Sequence, residues 1–346
     1  SGSKKHRVKR DSSLPKAAWV PWGALACSDD EMLDGINAKW IITELKKPQE
    51  KPFFLAYGLT KPHLTWSVPQ KYFDLHPLEG IKLPPTKKGD LADLPSFGKK
   101  LAREVYDPYG ERDFAVKPNG DHVNVIANNQ WRKAVQAYLA TISFADAQLG
   151  RILSTLQSTG LDKNTIVVFT SDHGYHMGEH GHYQKTTLFE NATRIPLIIT
   201  GPSVKQLNKS AEGLVEMVDI YPTLTELAGL KTPKFVAGKS LVPILNDATA
   251  SIRESALTQF QNGYSIRTSR YRYTHWGADG EAGNELYDHS NDPEELVNLS
   301  QNDKYSDIVK QLSQMLKDRV AHANLPPQGI KQIQSPLTRR VPQPNP

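Results

Sequence analysis

Side chains that can bind a metal and an anion are concentrated between residues 171 and 185. Asp172 and His173 stand directly after an apolar run, and Gly174 follows them. A carboxylate and an imidazole at the end of a strand can both project toward one cation, and glycine lets the backbone turn sharply there. Lys185 adds an ammonium group that can hold an anion. These residue types therefore predict a mixed site for a metal and an anion.

Two other interpretations of this segment stay open from the residues alone. An Asp-His pair after a strand is also common in turns, where both side chains form hydrogen bonds with the backbone. His176, His180 and His182 could form a zinc cluster, but the residues between them are not those of a helical HExxH motif. We favour the mixed site over a zinc site.

A second candidate element follows the apolar run at residues 52–58, which is typical of a buried parallel strand closed by glycine. Lys61 and His63 come directly after this run. Because ligands bind at the carboxyl ends of strands in open α/β sheets, both side chains are candidates for the same site. Taken alone, His63 could equally be a structural histidine and Lys185 a solvated surface charge.

The elements that must position these residues alternate along the chain. Helices are predicted at 33–47, 131–156 and from 217, and strands at 52–58, 165–170 and 196–201. This alternation indicates an α/β sheet. In the last third, strands at 264–268, 271–274 and 285–288 and a helix at about 303–320 predict a small antiparallel sheet with a packed helix.

The composition is that of an ordinary globular protein, since 38% of the 346 residues are hydrophobic and 23% are charged. No apolar run approaches the length of a membrane span. The net charge of +5 could favour an anionic substrate, but it is too dispersed to predict nucleic-acid binding. Cys27 is the single cysteine, which excludes an internal disulfide.

The segment from Thr170 to Pro202 resembles the sulfatases of the alkaline phosphatase superfamily. The shared motifs, in order, are SDHG at 171–174, GEHG at 178–181, Lys185, RIPLI at 194–198 and GP at 201–202. The likeness extends from about Asp29 to about Val320. It also includes KPH at 61–63, DIYPTL at 219–224 and ELYD at 285–288, and its C-terminal motifs resemble the iduronate-2-sulfatase-like branch.

This resemblance implies an α/β fold with a mostly parallel central sheet flanked by helices, as in alkaline phosphatase, and a small C-terminal subdomain of antiparallel sheet plus helix. It implies that residues 1–255 are the C-terminal part of the catalytic domain and lack its first strands. Residues 256–325 would form the small subdomain, and residues 326–346 would be an extended tail.

The resemblance also implies roles for the site residues. Asp172 and His173 would bind one calcium ion. Lys185 would contact the sulfate oxygens, and His63 would bind the sulfate or the departing oxygen.

Four further side chains are candidates for binding the sugar, namely Lys61, Trp66, His176 and Arg267. Aromatic faces pack on sugar rings, and Arg267 together with Arg272 could hold a uronate carboxylate through paired donors. A core position for Trp66 and structural salt bridges for the arginines are the competing interpretations.

One part of the family pattern is missing from this sequence. Such sulfatases begin with a strand that ends in paired aspartates, followed by a Cys/Ser-x-Pro-Ser-Arg motif whose first residue becomes formylglycine. The surroundings of Cys27 lack the proline and arginine of that motif, and Asp29 and Asp30 precede a helix instead of closing a strand. We therefore expect formylglycine on an absent N-terminal segment, which is a separate chain, a cleaved chain or one not included here. We expect no turnover by this chain alone.

The sequence thus favours a sulfuric ester hydrolase that acts on a sulfated sugar or polysaccharide, with a uronate-containing glycan as the preferred substrate. The alternatives are a phosphomonoesterase or phosphodiesterase of the same superfamily, with two transition metals, and a non-catalytic glycan-binding subunit. The expected partners are the sulfated carbohydrate and the N-terminal fragment of the enzyme, without nucleic acid or a membrane span. A periplasmic or secreted location is expected, or a lysosomal one in a eukaryote, where sequons at Asn191, Asn208 and Asn298 would permit glycosylation.

Overall fold

A computed structural model describes residues 22–103, 122, 125–126, 129–326 and 329–330. The α-helices are α1 (Leu33–Leu45), α2 (Gln70–Asp74), α3 (Ser96–Arg103), α4 (Trp131–Ser158), α5 (Glu190–Thr193), α6 (Ile220–Leu227), α7 (Val242–Asn246) and α8 (Ser306–Ala323). The strands are β1 (Trp22–Leu25), β2 (Trp66–Pro69), β3 (Val167–Thr170), β4 (His176–Met177), β5 (Tyr183–Gln184), β6 (Leu197–Thr200), β7 (Ala256–Phe260), β8 (Gly263–Arg267), β9 (Tyr271–Trp276) and β10 (Asn284–Asp288). The predicted tail at 326–346 lies mostly outside the described residues.

Helix α4 carries the largest hydrophobic core. It buries a stripe of small side chains at helical spacing, Ala134, Ala137 and Ala140, followed by Phe144. Small side chains let the helix lie close to its neighbours, and β2 packs into the same core through the fully buried Trp66. The predicted helices that correspond to α1 and α4 are confirmed.

Among the described residues, three short pairs of strands precede the C-terminal sheet. Strand β1 pairs in parallel with β2, whereas β3 pairs antiparallel with β6 so that Val167 lies opposite Thr200. Strands β4 and β5 form an antiparallel pair on either side of the GEHG motif. The prediction of a strand at residues 52–58 is wrong, because this segment pairs with no other strand within the described parts of the chain.

The C-terminal part is a four-stranded antiparallel sheet in the order β10-β9-β8-β7. Its core joins Ile266, Tyr273 and Leu286 of the sheet to Leu312 and Leu316 of α8. These helix residues lie four positions apart and therefore face the sheet together. The structure confirms an α/β protein with a C-terminal antiparallel sheet and helix, while the division into domains at residue 255 stays a prediction.

Among the helices in the described parts of the chain, none combines the length and the apolar character needed to cross a membrane.

Candidate functional site

Asp172 and His173 lie together at the end of β3. His173 Nε2 is 3.5 Å from Asp172 Oδ2, and His173 Nδ1 is 2.8 Å from the carbonyl oxygen of Gly174. That carbonyl can only accept, so Nδ1 carries a proton, and Nε2 is the ring atom that faces the carboxylate. A backbone partner that fixes the ring of a metal-ligating histidine is a common arrangement.

The two side chains fit a shared cation. Oxygen ligands lie about 2.3–2.6 Å from calcium, so two ligand atoms separated by 3.5 Å can bind one ion. The side chain of Asp172 is 81% exposed, which leaves its oxygens open to a ligand. Of the two, Asp172 would be the stronger calcium ligand, because calcium prefers oxygen.

Gly174 is required by the close approach of two segments. Its N–H donates to the carbonyl oxygen of Ala192 at 2.8 Å, and a Cβ built on Gly174 would lie 2.0 Å from the carbonyl oxygen of Asn191. The backbone of Asn191 cannot move away from such a Cβ as a flexible side chain could. The glycine therefore lets the turn after β3 lie against α5, directly before the RIPLI segment.

Gly174→Ala is expected to lower the free energy of unfolding by about 1–3 kcal/mol, because the added methyl group collides with backbone. Chemical denaturation of the two proteins measures this difference. Gly150→Ala is the matched control, since a Cβ at this helical glycine of α4 meets no atom within 4 Å and alanine favours a helix. Equal stability of the Gly174→Ala variant and the wild type would contradict the close approach.

Lys185 and His63 form the second pair of the candidate site. Lys185 Nζ lies 3.5 Å from His63 Nε2, and His63 Nδ1 lies 3.0 Å from the carbonyl oxygen of Leu64. His63 Nδ1 thus donates to a carbonyl, and Nε2 accepts from the ammonium group. Gln184, directly before Lys185, has a φ of 80°, which is strained for a residue with a side chain and is typical of functional segments. The structure thus brings together two residues that are far apart in the sequence.

Asp34 holds the loop that carries His63. Its carboxylate accepts hydrogen bonds from the backbone N–H groups of Thr60 and Lys61, both at 2.9 Å, and its side chain is almost fully buried. Sequence reasoning missed this residue, because an acid near the start of a helix is equally explained by the helix dipole.

Lys61 also supports the loop. Its Nζ donates to the carbonyl oxygens of Thr65 and His63, and burial lowers the pKa of Lys61 to about 8. These bonds direct the ammonium group of Lys61 toward the backbone of its own loop.

Two predicted sugar-binding residues need correction, because neither Trp66 nor His176 has an exposed surface. Trp66 packs edge-on against the rings of Tyr138 and Tyr175, and its Nε1–H donates to the carbonyl oxygen of Pro62 at 3.1 Å. Trp66 therefore supports the loop from the core. The competing interpretation of a core tryptophan is the one that the structure favours.

His176 belongs to a buried cluster with His180 and His182. Each ring has its own partner: His176 Nε2 lies 2.7 Å from Thr187 Oγ1, His180 Nδ1 lies 3.0 Å from Asp90 Oδ2, and His182 Nε2 lies 3.3 Å from Thr186 Oγ1. Burial holds the pKa of His176 well below its ordinary value, so its ring is neutral. The three rings do not converge on one metal with these partners, and His176 does not face a sugar.

Arg267, the fourth candidate for sugar binding, lies in an ion-pair network together with Arg272. Arg267 Nε lies 3.3 Å from Glu190 Oε2, and its Nη2 lies 2.9 Å from His289 Nδ1. The buried Arg272 contacts Glu190 and reaches Glu295 at 2.5 Å. The guanidinium groups therefore bind protein carboxylates, as the salt-bridge interpretation predicts.

The same network contains a group of side chains with the geometry of a metal site. One ligand atom from each of Glu190, His289 and Glu295 lies within 4.8 Å of the others. However, Arg267 and Arg272 already place positive charge on these carboxylates. Burial raises the pKa of Glu295, but Arg272 and His289 outweigh it and lower the pKa to about 2. Asp172 and His173, which face no arginine partner among the described ion pairs, fit a cation better.

The chain is similar to known proteins over most of its length. Residues 6–230 match the family model described as Sulfatase, and residues 178–322 match the one described as N-sulphoglucosamine sulphohydrolase, C-terminal. A sulfatase from Formosa agariphila is 38% identical over 85% of this chain and 55% of the relative. The iduronate 2-sulfatase of Homo sapiens is 31% identical over 68% of this chain and 54% of the relative. The chain therefore spans about half the length of these relatives.

A similar solved structure is that of a protein in complex with its substrate D-glucosamine-2-N,6-O-disulfate. It superposes with a TM-score of 0.70 at 24% identity and covers 86% of this chain and 71% of the solved one. This likeness supports the predicted alkaline phosphatase-like α/β fold.

Proposed function

Because this chain belongs to the sulfatase family, we propose that it forms the larger part of an enzyme that removes sulfate from a sulfated sugar. The observation that carries the proposal is the contact between Lys185 and His63, with Nζ and Nε2 3.5 Å apart. A cationic donor beside an imidazole is suited to hold an oxyanion and to exchange a proton with it. The exposed carboxylate of Asp172 lies in the same segment of the chain.

Each side chain has a proposed task. Lys185 donates to the sulfate oxygens and offsets the charge that develops as the ester bond breaks. His63 Nε2, which contacts Lys185 in the free protein, takes up a proton from solvent or from Lys185 and delivers it to the departing oxygen as the ester bond breaks. Asp172 and His173 hold a cation, and a bound calcium ion would supply positive charge beside the sulfate.

The nucleophile is proposed to lie outside this chain. Burial, together with Glu31 and Asp29, raises the pKa of the Cys27 thiol, so its reactive thiolate is disfavoured. A formylglycine on an N-terminal fragment would supply the attacking hydroxyl group. That fragment is the proposed protein partner, in line with the half-length coverage of the relatives.

The proposed substrate is a sulfated glycan, and a uronate is the first choice. The support for a uronate is the 31% identity to human iduronate 2-sulfatase. Arg267 and Arg272 give no support to it, because they are bound to glutamates of the protein. Export from the cell is proposed because sulfated glycans of this kind lie outside the cytoplasm.

The proposal is tested with this chain combined with its N-terminal fragment. We expect one bound calcium per enzyme by elemental analysis and release of sulfate from a sulfated uronate disaccharide. Asp172→Asn should weaken calcium binding by at least about tenfold, because the ion loses an anionic ligand. Asp162→Asn is the control, since Asp162 is exposed in a short helix before β3.

Other outcomes would favour the alternatives. Two zinc or manganese ions with hydrolysis of a phosphate ester would identify a phosphatase. Binding of the glycan without any turnover, by a protein that carries no Cys/Ser-x-Pro-Ser-Arg motif, would identify a glycan-binding subunit.

A further inference from the structure

The turn that carries Lys185 begins at a strained hairpin. Gln184 ends β5 and pairs with His176 of β4, directly before the lysine. Directly after it, the backbone N–H of Thr187 donates to the carbonyl oxygen of Lys185 at 2.9 Å. Gln184 has a φ of 80°, and strain of this kind persists only where the surrounding structure holds it. The strain therefore indicates that contacts beyond these local bonds fix the turn.

Two buried imidazoles contact the hydroxyl groups that follow Lys185. His176 Nε2 lies 2.7 Å from Thr187 Oγ1. His182 Nε2 lies 3.3 Å from Thr186 Oγ1. His176 Nδ1 has no hydrogen-bond partner among the described residues. Because buried N–H groups are rarely left without an acceptor, His176 carries its proton on Nε2 and donates to Thr187. The two residues directly after the lysine are thus tied to one histidine each.

The histidines also support one another. The ring of His176 meets those of His182 and His180 edge-on, with centroids 5.3 and 5.9 Å apart. His180 stacks on Phe189 at 3.8 Å, and its Nδ1 lies 3.0 Å from Asp90 Oδ2. Burial lowers the pKa of His182 to about 4 and holds that of His176 well below its ordinary value. Neither of these two rings is charged at neutral pH, so they pack without repulsion under the turn.

We propose that His176 and His182 are positioning residues, which hold Lys185 at the candidate anion site through the two hydroxyl groups that follow it. The inference deepens the proposed function and rests on it for the task of the lysine. Neither histidine touches the anion, since both rings are buried. The geometry that they hold is the 3.5 Å contact between Lys185 Nζ and His63 Nε2. If the histidines only filled space in the core, loss of a hydroxyl group would change stability but not the place of the ammonium group.

The first test locates the ammonium group by NMR of the full chain with isotope-labelled lysine and histidine. The measured quantity is the nuclear Overhauser effect between Lys185 Hε and the ring of His63, and Lys185→Arg and His63→Asn assign the two signals. Thr187→Val keeps the shape of the side chain but removes the hydroxyl group, whereas Thr187→Ser keeps the hydroxyl group. We expect Thr187→Val to lose most of this signal and Thr187→Ser to retain it.

Thr223→Val is the matched control, because Thr223 is a buried threonine of α6 whose hydroxyl group donates to the carbonyl oxygen of Asp219. It should lower the free energy of unfolding and leave the signal unchanged. Thr186→Val takes the place of Thr187→Val if that variant does not fold. Absence of the signal in the wild type, an equal signal in the wild type and Thr187→Val, or an equal loss in Thr223→Val would overturn the inference.

Binding of inorganic sulfate to the same proteins separates this inference from the proposed function. We expect Thr187→Val to raise the Kd for sulfate at least about fivefold, because a displaced ammonium group loses a charged hydrogen bond to the anion. Loss of the signal in Thr187→Val without sulfate binding by the wild type leaves the positioning role standing and counts against the proposed function. Sulfate binding that needs Lys185, with a signal that Thr187→Val does not change, overturns the inference and leaves the proposed function standing.

Discussion

Lys185→Ala in the complete enzyme is expected to lower kcat/KM for a sulfate ester by about 10²- to 10³-fold. The physical reason is the loss of a positive charge at the oxygens where negative charge grows in the transition state. In the free protein the ammonium group contacts the imidazole ring of His63 instead of a carboxylate. Among the described residues, Lys185 forms no ion pair with a carboxylate. An anion can therefore bind to Lys185 without displacing an acidic side chain.

Steady-state kinetics of sulfate release measure this effect. Lys205→Ala is the matched control, since Lys205 is an exposed lysine outside the segment at 171–185. Lys185→Arg should restore part of the rate, because it keeps the charge but changes the shape of the donor. If Lys185→Ala retains wild-type kcat/KM while folding normally, Lys185 has no part in the reaction.

Arg272→Met is expected to lower the free energy of unfolding of the chain by about 3–5 kcal/mol. Arg272 is almost fully buried and contacts both Glu190 and Glu295. Removing the cation leaves two carboxylates without their main compensating charge in a dry environment. The cost of that buried charge, more than the loss of the bonds themselves, sets the size of the effect.

Chemical denaturation at neutral pH measures this loss. Arg194→Met is the matched control, because Arg194 also lies near Glu190, at 3.9 Å, but its side chain is 79% exposed, and exposed ion pairs contribute little to stability. The pH dependence gives an independent check. The pKa of Glu295 is lowered from 4.5 to about 2, so its contribution is present above pH 4.5 and is lost as the pH falls toward 2. Unchanged stability of Arg272→Met would show that solvent reaches the glutamates.

Much of the fold was predictable from the sequence because periodic apolar residues identify long helices and the C-terminal strands. The positions of Lys61, Trp66, His176 and Arg267 were harder, because each side-chain type suits a sugar site and a buried structural site equally well. For Trp66 and His176, burial decides between the sugar site and the structural site. Burial depends on contacts between residues that lie far apart in the sequence. For Arg267, the deciding contact is with Glu190, which lies in a different element.

The residues that support the site were missed for a related reason. Asp34 accepts hydrogen bonds from the backbone amides of residues 60 and 61. Every residue except proline has such an amide, so the sequence does not show which amides Asp34 binds. Residues 52–58 matched the composition of a buried strand, yet pairing requires a neighbour that a local pattern cannot supply. The roles of Asp172, His173, Lys185 and His63 remain predictions for experiment.

The ion pairs of Glu190 have a consequence for how the enzyme could be divided. Glu190 begins a short helix soon after Lys185, and its partners Arg267 and Arg272 belong to the C-terminal sheet. Through these ion pairs, the C-terminal sheet holds the segment that carries Lys185 in place. Cutting the chain before β7 would remove these ion pairs along with the sheet, so the segment that carries Lys185 depends on the C-terminal sheet for its position.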